Sequence, residues 1–167
     1  MKLHLRLRHW LLSLLAAAPL PAAIVTWDGG SLVDSNLLSG DNWNPNGIPL
    51  TTDDLVFAGV VRLTPAVNST FTANSLTFNN TAGAFTFGGA GTLRIGAGGI
   101  ANNDLNLMTF NNAVAASSSL AINGTSGGLA FNGGLNLGTH SVTLNGNNPN
   151  RLNRLVGSPA DKSLIHP

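Results

Sequence analysis

The chain has 167 residues, of which 43% are hydrophobic and only 9% are charged, and it contains no Cys, Glu or Gln. This composition argues against amphipathic helices with charged outer faces, and it excludes disulfides, thiol nucleophiles and Cys-based metal sites. Beyond residue 23, five basic residues and seven Asp give a net charge of −2, which leaves no basic patch for nucleic acid.

Residues 1–23 have the three zones of a secretory signal peptide. An N-terminal segment with three basic residues precedes the apolar run of residues 10–18, which is too short to span a membrane. Residues 19–23 are mostly Pro and Ala, and we expect signal cleavage near Ala23. The sequence therefore predicts a protein that is secreted or held in the cell envelope, with no membrane span in the mature chain.

Residues 24–59 are rich in Gly, Pro and Asn, and this turn chemistry predicts an irregular N-terminal cap. Two Trp in this segment lie beside acidic residues. One interpretation is a carbohydrate contact formed by Trp27, Trp43, Asp28, Asp41 and Asn42, because aromatic faces stack on sugars while acids and amides bind hydroxyls. The other is that both indoles plug the open end of a repeat domain, which repeat proteins require.

Asp53 and Asp54, together with Asp28 and Asp41, are candidates for a glycosidase acid and base or a Ca²⁺ site. Adjacent residues on a strand point to opposite faces, so we expect the two carboxylates not to act together. Arg94 is expected to point outward from a strand, and His140 is expected to lie in an exposed turn. No metal or cofactor is predicted.

Residues 60–146 contain short apolar pairs separated by one residue, and this alternation places both members on one face of a strand. Gly and Asn clusters between the pairs supply turns. The pairs are Leu76 and Phe78, Phe85 and Phe87, Leu93 and Ile95, Leu105 and Leu107, Leu120 and Ile122, Leu129 and Phe131, Leu135 and Leu137, and Val142 and Leu144.

The same region repeats, since residues 75–89 align without gaps on residues 119–133 with seven identities. The offset of 44 residues places Leu76 over Leu120 and suits two coils of about 22 residues, each with about three strands. The predicted fold is all-β, a parallel β-helix or solenoid over residues 60–146 with Asn ladders at its corners. An antiparallel β-sandwich is the alternative. Residues 147–167 lose the pattern and are predicted to be a disordered tail.

Several of these segments resemble the N-terminal part of bacterial autotransporter-associated β-strand repeat proteins. The resemblance covers residues 24–146. It is carried by residues 26–30, by the run from Asn42 to Gly59, and by the strands at 76–78, 85–87 and 93–96. It implies an extended right-handed β-helix passenger that a bacterium displays or secretes.

The sequence favours an exported structural or adhesive surface module without catalytic activity, whose partner is a polysaccharide or another cell-surface component. A carbohydrate-binding module that uses the Trp-bearing cap is one alternative. A polysaccharide lyase or hydrolase is another, but it needs several acids or bases on one face. Between residues 63 and 150 the only charged residues are Arg94 and Asp104.

Overall fold

The computed structural model describes residues 22–146 and, beyond them, the backbone of residues 151–152 and 155–157. The predicted signal peptide therefore lies outside the described residues, except for Ala22 and Ala23. The strands are β1 (Ile24–Trp27), β2 (Trp43–Asn44), β3 (Asp54–Phe57), β4 (Phe71–Phe78), β5 (Thr86–Phe87), β6 (Thr92–Asn102), β7 (Met108–Phe110), β8 (Ala113–Ala116), β9 (Leu120–Gly124), β10 (Leu129–Phe131), β11 (Leu135–Gly138), β12 (Val142–Asn145), β13 (Arg151–Leu152) and β14 (Leu155–Gly157).

These strands form a parallel β-solenoid of about four turns with three faces. The first face contains β1, β3, β9, β12 and the second halves of β4 and β6. The second face contains β5, β7, β10 and β13. The third face contains β8, β11, β14 and the first halves of β4 and β6. The predicted solenoid is confirmed, and within the described residues only β1 and β2 pair antiparallel, so the β-sandwich is not adopted.

Equivalent side chains of successive turns form continuous apolar columns inside the solenoid, as the alternating pairs predict. On the second face Phe87, Phe110 and Phe131 stack with ring centroids 4.8 and 5.1 Å apart. Strands this short bury too little alone, and stacking joins their inward side chains into one core. The column on the first face consists of Val25, Leu55, Leu76, Ile100, Ile122 and Leu144.

The offset of 44 residues holds on the second face and is wrong by two residues on the first. Phe87 and Phe131 are equivalent through β7, as the alignment predicts. Leu76, however, is equivalent through β6 to Ile122 and not to Leu120. The two Leu still lie in the same sheet, so the stacking of coils stands while the gapless alignment does not.

A β-bulge in β6 explains the shift. Ala73 pairs with Ile95, whereas Ser75 pairs with Gly99, so three residues of β6 lie opposite the single Asn74. A bulge adds residues to one strand of a pair and bends it outward. The inserted residues 96–98 include two Gly, whose missing side chains let β6 pass close to Asn74.

Leu105 and Leu107 are not the inward pair that the alternation predicts. Leu105 is 86% exposed, and both residues lie in a loop before β7. The competing alternation of Met108 and Phe110 forms the buried strand instead, because Phe110 fits between two Phe of the adjacent turns.

The ends of the solenoid also differ from the predicted boundaries. The parallel stack extends into the predicted cap of residues 24–59, because β1 and β3 pair in register with each other and with β4. Antiparallel β2 covers the outer edge of β1. In the predicted disordered tail, β13 and β14 continue the second and third faces. Residues 147–150, 153–154 and 158–167 lie outside the described residues.

Amide ladders join the turns at the surface, as predicted for stacked Asn. The Nδ2 of Asn145 donates to Oδ1 of Asn123 at 2.8 Å, and Asn132 donates in the same way to Asn111 at 2.9 Å. These bonds link successive turns of an outer surface that contains few charges. In the part of the chain that the structure describes, no helix has the length and apolarity needed to cross a bilayer.

Candidate functional site

The two Trp of the predicted carbohydrate contact lie in the core of the first turn. Trp27 is 1% exposed and Trp43 is 0% exposed, and their rings meet edge to face at 5.1 Å. The Nε1 of Trp43 donates to the carbonyl of Leu37 at 2.9 Å, and the Nε1 of Trp27 donates to that of Val61 at 3.4 Å. Neither indole offers a ring face to a sugar, so their burial argues against a stacking platform.

The two acidic residues of the same cluster are exposed and hold loops. Oδ1 of Asp28 accepts a hydrogen bond from the N–H of Gly30 at 2.9 Å, an arrangement that stabilises a turn. Oδ1 of Asp41 accepts from Nδ2 of Asn46 at 3.2 Å. A side chain at Gly30 would lie 2.7 Å from the carbonyl oxygen of Asp41, so the two loops pack closely. The acids are thus close in space, but the indoles lie beneath the surface.

Asn42 is the central polar side chain of the cap and is fully buried. Its Oδ1 accepts from the N–H of Ser31 at 3.1 Å, while Nδ2 donates to the carbonyls of Asp34 at 3.2 Å and Asn36 at 3.1 Å. Buried amides need such partners because an unpaired polar group is costly. The sequence suggested a sugar-binding role for this amide, whereas its bonds fix the loop that follows β1.

Arg62 was not singled out by the sequence, yet it connects the solenoid to the cap. Its Nε donates to the carbonyl of Gly29 at 3.1 Å, and Nη2 donates to the carbonyl of Ser31. Its backbone has a φ of 45°, which is unusual for a residue with a side chain. An isolated Arg between two Val and a Leu carries no motif, so only the fold could reveal this contact.

Asp34 lies in the same cap and is exposed. Hydrogen bonds from the backbone N–H of Asn36 and then from the hydroxyl of Ser39 lower the pKa of its carboxyl, and the charge of Arg62 adds to the effect. Each of these contacts favours the ionised form. The carboxylate therefore stabilises the cap loop electrostatically.

Asp53 and Asp54 accept hydrogen bonds from different residues. Asp53 is 4% exposed and accepts from the backbone N–H of Ala23 at 3.2 Å and of Leu50 at 2.7 Å. Oδ1 of Asp54 accepts from Nδ2 of Asn74 at 2.7 Å and from the hydroxyl of Ser75 at 2.6 Å. Both carboxylates therefore stabilise the first turns of the solenoid.

The remaining candidate residues are placed apart. Arg94 is exposed on the third face, as expected for a side chain that points outward. Asp104 is buried in the loop after β6, where Oδ1 accepts from the backbone and side-chain nitrogens of Asn106 at 2.8 and 2.7 Å. His140 lies in the turn before β12, as predicted, but it is half-buried and not exposed, because its backbone N–H donates to the carbonyl of Leu137 at 2.9 Å and holds the turn against the solenoid. Among the residues that the structure describes, no group of three or more His, Asp or Glu is placed to hold a metal.

A groove of about 450 Å³ runs along the corner between the third and first faces. Asn74 is one of its lining residues and connects adjacent turns there, because its Nδ2 donates to Oδ1 of Asp54 at 2.7 Å and its Oδ1 accepts from the N–H of Gly98 at 3.3 Å. The bulge of β6 forms part of the wall. No local sequence pattern indicates this groove, because its residues come from five successive corners of the solenoid. It is lined by Ala22, Thr51, Thr52, Asn74, Gly96, Ala97, Ser117 and Ser118.

No family model matches the chain, and no curated protein or solved structure matches it.

Proposed function

We propose that the chain is an exported structural or adhesive surface module that acts without catalysis. The observation that carries the proposal is the unbroken stack of coils. Apolar columns cross successive turns, and amide ladders join the same turns outside. Such a quasi-one-dimensional stack makes an extended, rigid body in which each turn supports its neighbours.

The placement of the acidic side chains supports a structural role. Asp53, Asp54 and Asp104 accept hydrogen bonds from groups of the solenoid itself, and the exposed Asp28 and Asp41 hold cap loops. A lyase or hydrolase needs acids and bases that converge on the reacting bond of the substrate. These carboxylates are distributed along the chain and serve local structure.

Export is supported by the order of basic, apolar and small residues in the first 23 positions. The full chain is expressed in a bacterial host, and cytoplasm, periplasm and medium are separated and probed. We expect a shortened product outside the cytoplasm. Full-length protein that remains in the cytoplasm would contradict the proposal.

A second candidate function is binding of an uncharged glycan in the corner groove, and the lining of the groove favours it. Hydroxyl, amide and backbone groups from residues 51–118, which the exported chain keeps, line most of this surface, and no Lys or Arg is among the lining residues. Such groups bind neutral polyhydroxylated chains through hydrogen bonds, with a few placed polar groups giving orientation. This candidate retains the carbohydrate ligand that the sequence suggested but assigns it to a site away from Trp27 and Trp43.

The glycan candidate is tested with a panel of neutral polysaccharides. Ala97→Arg places a long side chain in the groove, and Ala84→Arg places the same side chain on an exposed loop elsewhere. We expect binding by the unmodified protein and by the Ala84 variant, and at least a tenfold weaker affinity for the Ala97 variant. Equal affinities of the two variants would exclude the groove.

A further inference from the structure

The backbone nitrogen of Ala23 and the carboxyl group of Asp53 meet at the start of the solenoid. The N–H of Ala23 donates to Oδ1 of Asp53 at 3.2 Å, and Oδ2 accepts from the N–H of Leu50 at 2.7 Å. Asp53 is buried, with only 4% of the residue exposed. A buried carboxylate is costly unless partners compensate its charge, and here its donors are two neutral backbone groups.

Ala23 is also the first residue that the parallel sheet holds. Its carbonyl accepts from the N–H of Asp54 at 2.8 Å, and β1 begins at the next residue. A cut after Ala23 would remove both the donor to Asp53 and the acceptor for Asp54. A cut after Ala22 would keep both bonds. It leaves the small residue Ala22 immediately before the cut, as the A-x-A-like rule asks at that position, and Leu20 at the third position before the cut.

We propose that the signal segment is removed between Ala22 and Ala23 and that the new α-ammonium group forms an ion pair with Asp53. The inference rests on the proposed export. Water adds across the Ala22–Ala23 peptide bond, which leaves a carboxylate on Ala22 and an ammonium group on Ala23. A neutral N–H donor is thereby replaced by a charged one at the same position.

The exchange strengthens the first turn, because hydrogen bonds between charged partners are about twice as strong as neutral ones. In the unprocessed chain the amide of Ala23 is a neutral donor. In the processed chain a positive charge faces the buried carboxylate. Removal of the signal segment therefore also stabilises the end of the solenoid that β2 and the cap cover.

The position of the cut is tested on the full chain expressed in an exporting bacterial host. We expect the intact mass of the exported product to correspond to residues 23–167. An exported product that begins at Pro19, Ile24 or any other residue would overturn this inference and leave the proposed export standing. Retention of residues 1–22 in the cytoplasm would contradict both.

The ion pair is tested on the exported product with Lys162→Arg as background, in which the α-amine is the only remaining amine. Acetylation removes the terminal charge. We expect it to raise the equilibrium constant of unfolding about tenfold, the effect of exchanging a charged hydrogen bond for a neutral one. With Asp53→Asn the effect of acetylation should fall below about twofold, whereas Asp41→Asn should leave it unchanged.

Two results would overturn the ion pair. One is an acetylation effect of less than about twofold in the background protein, a comparison that needs no substitution at Asp53. The other is an acetylation effect that is the same with Asp53 and with Asn at this position.

Discussion

Phe110→Ala is the substitution that probes the stacked core most sharply. The ring of Phe110 is fully buried between Phe87 and Phe131, with centroid distances of 4.8 and 5.1 Å. Truncation of a core Phe costs about 3 to 5 kcal/mol, and the loss of three ring pairs, with Phe78, Phe87 and Phe131, places this site in the upper half of that range. Total stabilities of single domains are about 5 to 15 kcal/mol, so the loss is large.

The free energy of unfolding is measured by urea denaturation followed by far-ultraviolet circular dichroism. Leu105→Ala is the matched control, because Leu105 is 86% exposed and its loss should change stability by less than about 0.5 kcal/mol. Phe110→Leu fills part of the space and should cost about 1 to 2 kcal/mol. Equal costs for Phe110→Ala and Leu105→Ala would refute the stacked column.

Three further substitutions test the corners and the cap. Gly91→Ala should lower the free energy of unfolding, measured by urea denaturation, by about 1 to 3 kcal/mol, because its Cβ would collide with the carbonyl oxygen of Ser69. Gly88→Ala is the control, because a Cβ there meets open space, and it should lower the free energy by less than about 1 kcal/mol. Arg62→Lys should cost about 1 kcal/mol in the same assay, since an ammonium group does not reproduce the two guanidinium contacts to the cap. The pKa of Asp34 is lower in the folded protein than in the unfolded chain. Its contribution to folding stability is therefore fully present above the unfolded pKa of 3.8, and it is lost as the pH falls through the folded pKa. Thermal melts between pH 6 and about pH 2.5 should therefore lose less stability with Asp34→Asn than with the unmodified chain.

The strand pattern was largely predictable from the sequence because alternation directly reports which side chains face inward. Phe85, Phe87, Leu129 and Phe131 are buried where the pairs predict them. The bulge of β6 was not predictable, because Gly-rich insertions shift the register without changing the alternation on either side. Leu105 was placed wrongly for a related reason, since two alternations of opposite phase overlap there and only stacking against neighbouring turns selects one.

The candidate site was less predictable than the fold. A Trp beside an Asp in the sequence is compatible with a sugar-stacking surface and with a buried side chain that caps the solenoid. Only the packing of β1 against β2 and β3 shows that Trp27 and Trp43 are buried. The groove depends on corners from separate turns, and the contact of Arg62 with the cap links residues more than thirty positions apart. Such features arise from the stacking of coils and have no local signature.

The most direct test of the stacked coils is disulfide formation between engineered cysteines, because the chain has no Cys of its own. Thr77 and Ala101 are direct partners in adjacent turns, where parallel strands lie about 4.8 Å apart. Thr77 and Ala121 occupy equivalent positions in the gapless alignment, but they lie two turns apart, about 10 Å, beyond the reach of a disulfide. We expect the Thr77→Cys/Ala101→Cys protein to form an intramolecular disulfide on mild oxidation and the Thr77→Cys/Ala121→Cys protein to remain reduced, as mass spectrometry would report. Crosslinking of the second pair and not of the first would contradict the stacking of turns described above.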